Sequence, residues 1–344
     1  MDAKKYLDEI LFRGFEAKSS DIHFHPSDEG IKVFYRIDGM LKKYYNLAKE
    51  DATKIYSRIK VLSNLDITKS RQPQQGSFKV NSTPPMDIRV STINTVWGEK
   101  LVLRLFPYLP EFSTFTSLGM EPFQVQQLKK LLNLKGGLIL VCGPTGSGKT
   151  TTLYTMANYL YDESVNIVTI EDPVEYKIPN FTQIEVIEEL GLDYSYLLTS
   201  VLRQDPNVII IGEVRSEKTA HIALRAALTG HTVLASVHTE NSISSIDRFI
   251  NLGVNPAIFS EAFKGAVAQR LVRKIECSNK YSGRTGIFEI LSKDDNLKSY
   301  ILHRGAKFKN IVINKMFTLN DSAEQKKARK ITDKKELNRV LGEH

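Results

Sequence analysis

The chain has 344 residues, 42% of them apolar and 25% charged, and a formal net charge of +8. That is enough for two or three domains with real cores, and it excludes a disordered chain. No apolar run approaches the roughly 18 residues that span a bilayer. The opening Met-Asp-Ala-Lys-Lys-Tyr-Leu-Asp-Glu lacks a signal-peptide core, so a cytoplasmic protein is expected.

The first hundred residues predict strands with one helix. Ile31–Ile37 alternates Ile31, Val33, Tyr35 and Ile37 against Lys32, Phe34 and Arg36, and Asp38-Gly39 is a hairpin signal before a returning strand, Met40–Tyr45. Ala52–Leu65 carries Ile55, Ile59, Val61 and Leu62 at helical spacing. Met86, Ile88 and Val90 share one strand face, with Asp87, Arg89 and Ser91 on the other; Leu101, Leu103 and Leu105 repeat the pattern and leave Arg104 opposite. An α+β domain on an antiparallel sheet is expected over residues 1–106. Residues 107–117 break both periodicities and read as a linker.

Beyond the linker, short apolar strands alternate with helices. The strands are Leu138–Cys142, Asn166–Ile170, Val208–Ile211 and Thr232–Ser236; the helices are Thr150–Leu160, Tyr194–Arg203 and Glu217–Leu228. This order predicts an α/β core, a doubly wound and mostly parallel sheet, over residues 118–240. Residues 241–344 read as mostly helical. Of the two cysteines, Cys142 falls in an expected buried strand and Cys277 lies far away, so no disulfide framework or cysteine-rich metal site is available. The basic excess gathers in Lys326, Lys327, Arg329, Lys330, Lys334, Lys335 and Arg339 and reads as a solvated helix face.

Residues 143–150, Gly-Pro-Thr-Gly-Ser-Gly-Lys-Thr, fit a phosphate-binding loop between the first core strand and its helix. A triphosphate needs several donors aimed at one small volume. Glycines let consecutive N–H groups converge there, and the helix adds its positive end. The expected nucleotide contacts are Gly143, Pro144, Thr145, Gly146, Ser147, Gly148, Lys149, Thr150 and Thr151, with Lys149 on the β- and γ-phosphates and the Thr150 hydroxyl on Mg²⁺.

Three further features sit after apolar strands. Glu213 ends Val208-Ile-Ile-Ile-Gly-Glu213 and is placed to polarise a water against the γ-phosphate; Gly212 stands where many such enzymes carry an aspartate. Glu171, Asp172 and Glu175 crowd five residues around Pro173, which keeps the segment extended, and their mutual repulsion suits a divalent cation. His238 follows strand Thr232–Ser236 at the same carboxyl edge, where ligands of doubly wound sheets bind.

Together these boxes resemble the secretion ATPase superfamily, the hexameric motors of type II secretion, type IV pili and competence pseudopili. The phosphate loop is joined by Thr169-Ile-Glu-Asp-Pro-Val-Glu175, similar to the aspartate box. Leu202-Arg-Gln-Asp-Pro-Asn-Val-Ile-Ile-Ile-Gly-Glu-Val-Arg215 is similar to the atypical Walker B, and Leu228-Thr-Gly-His-Thr-Val-Leu-Ala-Ser-Val-His-Thr239 to the histidine box. Ser20-Asp-Ile-His23, Arg36-Ile-Asp-Gly39, Asp87–Thr92, Gly98–Arg104, Ala268–Arg273 and Gly283–Leu291 extend the resemblance.

The resemblance implies an ATP- and Mg²⁺-dependent RecA-like ATPase and gives the matched residues roles. Glu213 is the catalytic carboxylate, and Glu171, Asp172 and Glu175 order Mg²⁺ and water. His238 senses the γ-phosphate, Arg89 and Arg104 swing from the amino-terminal domain onto the nucleotide, and Arg203 and Arg215 reach phosphate. It further implies a homo-hexamer, peripheral to the inner face of the membrane, working on a polytopic platform protein to assemble a pilus-like fibre. The family's four-cysteine zinc site has only Cys277 here, so no zinc is expected; the usual acids at Ser216 and Gln75 are also absent. The compact layout resembles competence-type ATPases of Gram-positive bacteria. Pilus retraction, nucleic-acid translocation and a non-hydrolysing scaffold are the alternatives, and direct nucleic-acid binding is not expected.

Overall fold

The computed structural model describes residues 2–80, 85–107, 114–277, 280–304, 310–313 and 316–342. The chain divides into two compact units, residues 1–110 and 111–344. Most of the expected linker, residues 108–113, lies outside the described residues, as do Ser278 and Asn279 beside Cys277.

The first unit is a six-stranded antiparallel sheet: β1 (Ser19–Ser27), β2 (Gly30–Ile37), β3 (Met40–Leu47), β4 (Gln74–Val80), β5 (Met86–Thr95) and β6 (Gly98–Pro107), in the order β3-β2-β1-β6-β5-β4. Alternation decides its faces. Ile22, Phe24, Val33, Tyr35, Ile88, Val90, Leu101 and Leu103 pack into one core with helices Ala3–Glu16 and Lys49–Leu62. The first of these helices is a second one that the strand-centred reading of this half lacks. Its Leu7, Ile10, Leu11 and Gly14 fall at helical spacing, but exposed charges dilute the stripe.

The second unit is built on a seven-stranded sheet: β7 (Gly137–Cys142), β8 (Ile167–Glu171), β9 (Thr182–Glu185), β10 (Val208–Ile211), β11 (Thr232–Val237), β12 (Phe263–Cys277) and β13 (Lys280–Ser292), in the order β13-β12-β7-β11-β10-β8-β9. Every pairing is parallel except β12 with β13. Leu138, Leu140, Ile209, Ile211, Val233 and Ala235 face one core; Ile139, Val141, Ile167, Val208, Ile210 and Leu234 face the other. Helices cover both faces, so the strands read as continuous apolar runs. Among the described residues, no helix is long and apolar enough to cross a membrane.

The stretch after Ser242 departs from its mostly helical pattern, because β12 and β13 lie in it. Residues 265–269 of β12 are all buried, so no alternation appears, and its Ala, Gln, Arg and Leu favour helix by propensity. Pairing with β7 overrides that preference.

The carboxyl-terminal helix Lys334–Leu341 is tied to β12 by a buried carboxylate. Glu336 has no exposed surface and accepts from Arg273 at 2.6 Å and Arg339 at 2.6 Å, with the Arg273 N–H at 3.0 Å. Burial alone would raise its pKa, but the two guanidiniums and that N–H outweigh it and hold it down to about 2. Its stabilising contribution is therefore full above the ordinary glutamate range and is lost as pH falls from about 4.5 towards 2. Glu336→Ala leaves the half-buried Arg273 and the exposed Arg339 without their acceptor; a loss of about 1.5–3 kcal/mol is expected in urea unfolding at pH 7. A change below 1 kcal/mol there would refute this.

Candidate active site

The phosphate loop connects β7 to helix Lys149–Leu160. Gly148 is the helix N-cap with φ +89°, a conformation that favours glycine, and no side chain caps the helix. The first N–H groups of the helix are thus left for an outside acceptor, the geometry that binds phosphate. Gly143 has no room for a side chain: a Cβ there would meet the Gln269 carbonyl oxygen at 2.7 Å and the Ser147 Oγ at 2.5 Å. The Lys149 ammonium folds back over the loop and donates to the Gly143 and Pro144 carbonyls at 2.9 and 3.1 Å. Burial lowers its pKa, and the charges of Glu213 and Glu175 offset part of that.

Three separate sequence boxes meet at this lysine. Its Nζ lies 3.5 Å from His238 Nδ1. The opposite ring nitrogen, Nε2, lies 3.2 Å from Glu213 Oε2, and Arg215 donates to the same oxygen at 2.7 Å. The partners select the tautomer: Nδ1 accepts from the ammonium and Nε2–H donates to the carboxylate. Burial pushes the Glu213 carboxyl up, but the Arg215 hydrogen bond and His238 outweigh it, and the net shift is downward. Glu213 is therefore an anion at neutral pH, fit to accept a proton from water.

The aspartate box needs a correction. The sequence pattern presents Glu171, Asp172 and Glu175 together on a loop. Instead β8 runs through Glu171, which turns inward and is only 4% exposed. It accepts from Tyr154 Oη, from Thr169 Oγ1 at 2.6 Å and from Gln183 Nε2 at 3.2 Å. Burial raises its pKa, against those three hydrogen bonds. Glu171 thereby pins the helix after the phosphate loop to the edge strand β9. Asp172 and Glu175 are exposed.

Other expected site residues are dispersed. Arg203 is exposed and sits at the amino edge of the sheet, where Asn166 Nδ2 holds the Gln204 and Asp205 carbonyls at 2.9 and 3.0 Å. The phosphate loop follows the opposite edge, so the fold does not bring Arg203 to the loop of its own chain. In the first unit, Arg89 and Arg104 face each other across β5 and β6. Arg104 donates to the buried Asp21 at 2.9 Å, and Arg36 lies 3.7 Å from the same carboxylate. Arg89 lies over the Phe106 ring at 5.2 Å.

Two residues of β12, within the Ala268–Arg273 segment that carries the resemblance, had no role assigned from the sequence. Gln269 is 1% exposed and donates to the Ser147 carbonyl at 2.6 Å; Arg270 donates to the Glu240 carbonyl at 2.7 Å. One strand thus grips both the phosphate loop and the histidine loop. Only the pairing of β12 with β7 makes this visible. Ser216, where the family carries an acid, caps helix Glu217–Leu228 through its Oγ and the Thr219 N–H at 3.2 Å.

The loop fits a nucleotide, and the donor set fits Mg²⁺ in the manner usual for that ion. Thr150 offers a hydroxyl in the first helical turn, partly exposed and without a hydrogen bond among the described residues. No group of three or more His, Cys, Asp or Glu side chains there forms a metal cluster. Mg²⁺ takes one or two protein oxygens and completes its shell with phosphates and water.

Comparison with known proteins agrees with this geometry. Residues 2–339 match the family described as type II/IV secretion system protein. The chain is 38% identical over 354 residues to the protein transport protein HofB homolog of Haemophilus influenzae, covering 99% of this chain and 73% of that one. It is 32% identical to the type IV pilus assembly ATPase PilB of Acinetobacter baylyi, covering 98% and 66%. It therefore spans about two thirds to three quarters of the length of these relatives. Among solved structures, it resembles the pilus retraction motor PilT with bound ADP at a TM-score of 0.71 and 28% identity, covering 95% of this chain and 94% of that one. The fold is that of a two-domain RecA-like ATPase, and the chain belongs to the type II/IV secretion system protein family.

Proposed function

We propose that this chain is an ATP-hydrolysing motor that powers assembly of a pilus-like fibre or secretion pseudopilus. The observation that carries the reading is the contact series from Lys149 through His238 to Glu213. These contacts support reading Lys149 as the phosphate-binding cation, His238 as the γ-phosphate sensor and Glu213 as the proton acceptor. When ATP enters, phosphate oxygens replace the Gly143 and Pro144 carbonyls as acceptors for Lys149. Glu213 takes the proton of the attacking water, and His238 links its charge to the lysine. Mg²⁺ would be held by Thr150 and the phosphates and would supply charge neutralisation.

The remaining parts of the reading follow the family. Residues 1–106 and 118–240 serve as the two lobes of a homo-hexamer subunit, with Arg89 and Arg104 gaining a phosphate partner when the lobes close. The motor sits at the inner face of the membrane, against a polytopic platform protein. Similarity to the assembly ATPase PilB favours assembly over retraction.

Steady-state phosphate release across a range of protein concentrations tests the proposal. Specific activity should rise steeply as subunits associate, because a ring that forms by mass action is dilute-inactive. It should not respond to added DNA. Activity that is absent at every concentration, or that appears only with DNA, overturns it.

A further inference from the structure

Gly212 stands where related phosphate-loop enzymes carry a metal-holding aspartate, and the structure shows what fills that place. A Cβ on residue 212 would lie 3.0 Å from the Tyr194 hydroxyl oxygen, 3.1 Å from the Ile170 carbonyl oxygen and 3.3 Å from Glu171 Cα. Backbone of β8 closes one side. The phenol oxygen of Tyr194 stands on another, in contact range of the position where the aspartate side chain would begin.

Local sequence puts it there. The Asp193 carboxylate accepts the Tyr196 N–H at 2.7 Å and starts helix Tyr194–Val201. Tyr194 is therefore the first helical residue, at the carboxyl edge of the sheet beside the end of β10. Its ring is partly buried, and its hydroxyl has no hydrogen bond among the described residues. Burial raises its pKa, and the charges of Asp172 and Glu213 raise it further. The group is thus a neutral hydroxyl beside residue 212, one position before Glu213, with both lone pairs and its proton still to be used.

Resting on the ATPase reading above, we infer that Tyr194 is a further catalytic residue, whose oxygen accepts one hydrogen of the attacking water while Glu213 accepts the other. With both hydrogens engaged, the water points a lone pair at phosphorus. On attack its proton passes to Glu213, the bond to the leaving ADP oxygen breaks, and Tyr194 keeps its own proton. Glycine at 212 leaves this place to the phenol, since a Cβ there would press on its oxygen at 3.0 Å and on the Ile170 carbonyl at 3.1 Å.

Tyr194→Phe keeps the ring and removes only this oxygen. We expect kcat to fall about tenfold. Binding of ADP should change less than about twofold, while binding of ADP with aluminium fluoride, which imitates the phosphoryl group in flight, weakens about tenfold. The melting temperature should stay within about 2 °C of the parent. The assignment stands only if both kcat and the aluminium fluoride complex suffer selectively. Equal losses with ADP and with ADP–aluminium fluoride indicate a packing role and overturn it, as does parent-like behaviour in both. A parent protein that hydrolyses no ATP overturns the ATPase reading itself, and this inference with it.

Discussion

Lys149→Ala is expected to lower the rate of ATP hydrolysis by about a thousandfold or more. The ammonium is anchored inside the phosphate loop, 2.9 and 3.1 Å from its carbonyls. Partial burial makes each of its interactions stronger than the same contact in water. Truncation removes a charge that tightens on the γ-phosphate as negative charge shifts to the leaving oxygen, so kcat should suffer beyond any loss of affinity. It also strips His238 Nδ1 of its donor. Phosphate release measured alongside fluorescent-nucleotide binding separates the two effects. Turnover within tenfold of the parent would remove Lys149 from the chemistry.

Glu213→Gln is the second large effect, and it has a different signature. The amide keeps the size of the carboxylate and one oxygen for Arg215, now 2.7 Å away. It cannot take a proton at neutral pH. Loss of a positioned general base costs about 10²–10⁴ in rate, while phosphate contacts stay intact. ATP should therefore remain bound and uncleaved. Extraction of bound nucleotide after incubation with ATP should recover mainly ATP from the variant and mainly ADP from the parent. Recovery of ADP from both would reassign the base.

How much of this was legible beforehand differs from residue to residue. Helix Glu217–Leu228 and strand Val208–Ile211 are where the pattern puts them, because sheet burial on both faces and a capping serine act locally. The alternation of β5 likewise predicts that Arg89 leaves the core face. Glu171 was misread because a strand end and a loop start look alike in sequence. One more paired residue, Glu171 against Glu185, rotates the carboxylate inward. Arg203 looks like a neighbour of Glu213 by counting, yet four strand residues separate the two edges of the sheet. Gln269 lay in a segment that carried the resemblance but had no role, and Tyr194 gave no signal, since their importance comes from chain segments more than a hundred and about twenty residues away, respectively, that only folding brings near.

β12 has a mechanical consequence. Gln269 and Arg270 hold the two nucleotide-facing loops, and Arg273 holds the terminal helix through Glu336. At about 3.3 Å per residue, the three grips fall within roughly 13 Å along one rigid strand. A displacement of that helix would reach both loops along a single strand, without crossing a hinge. The same rail would run the other way, so that filling or emptying the loops would register at the helix Lys334–Leu341.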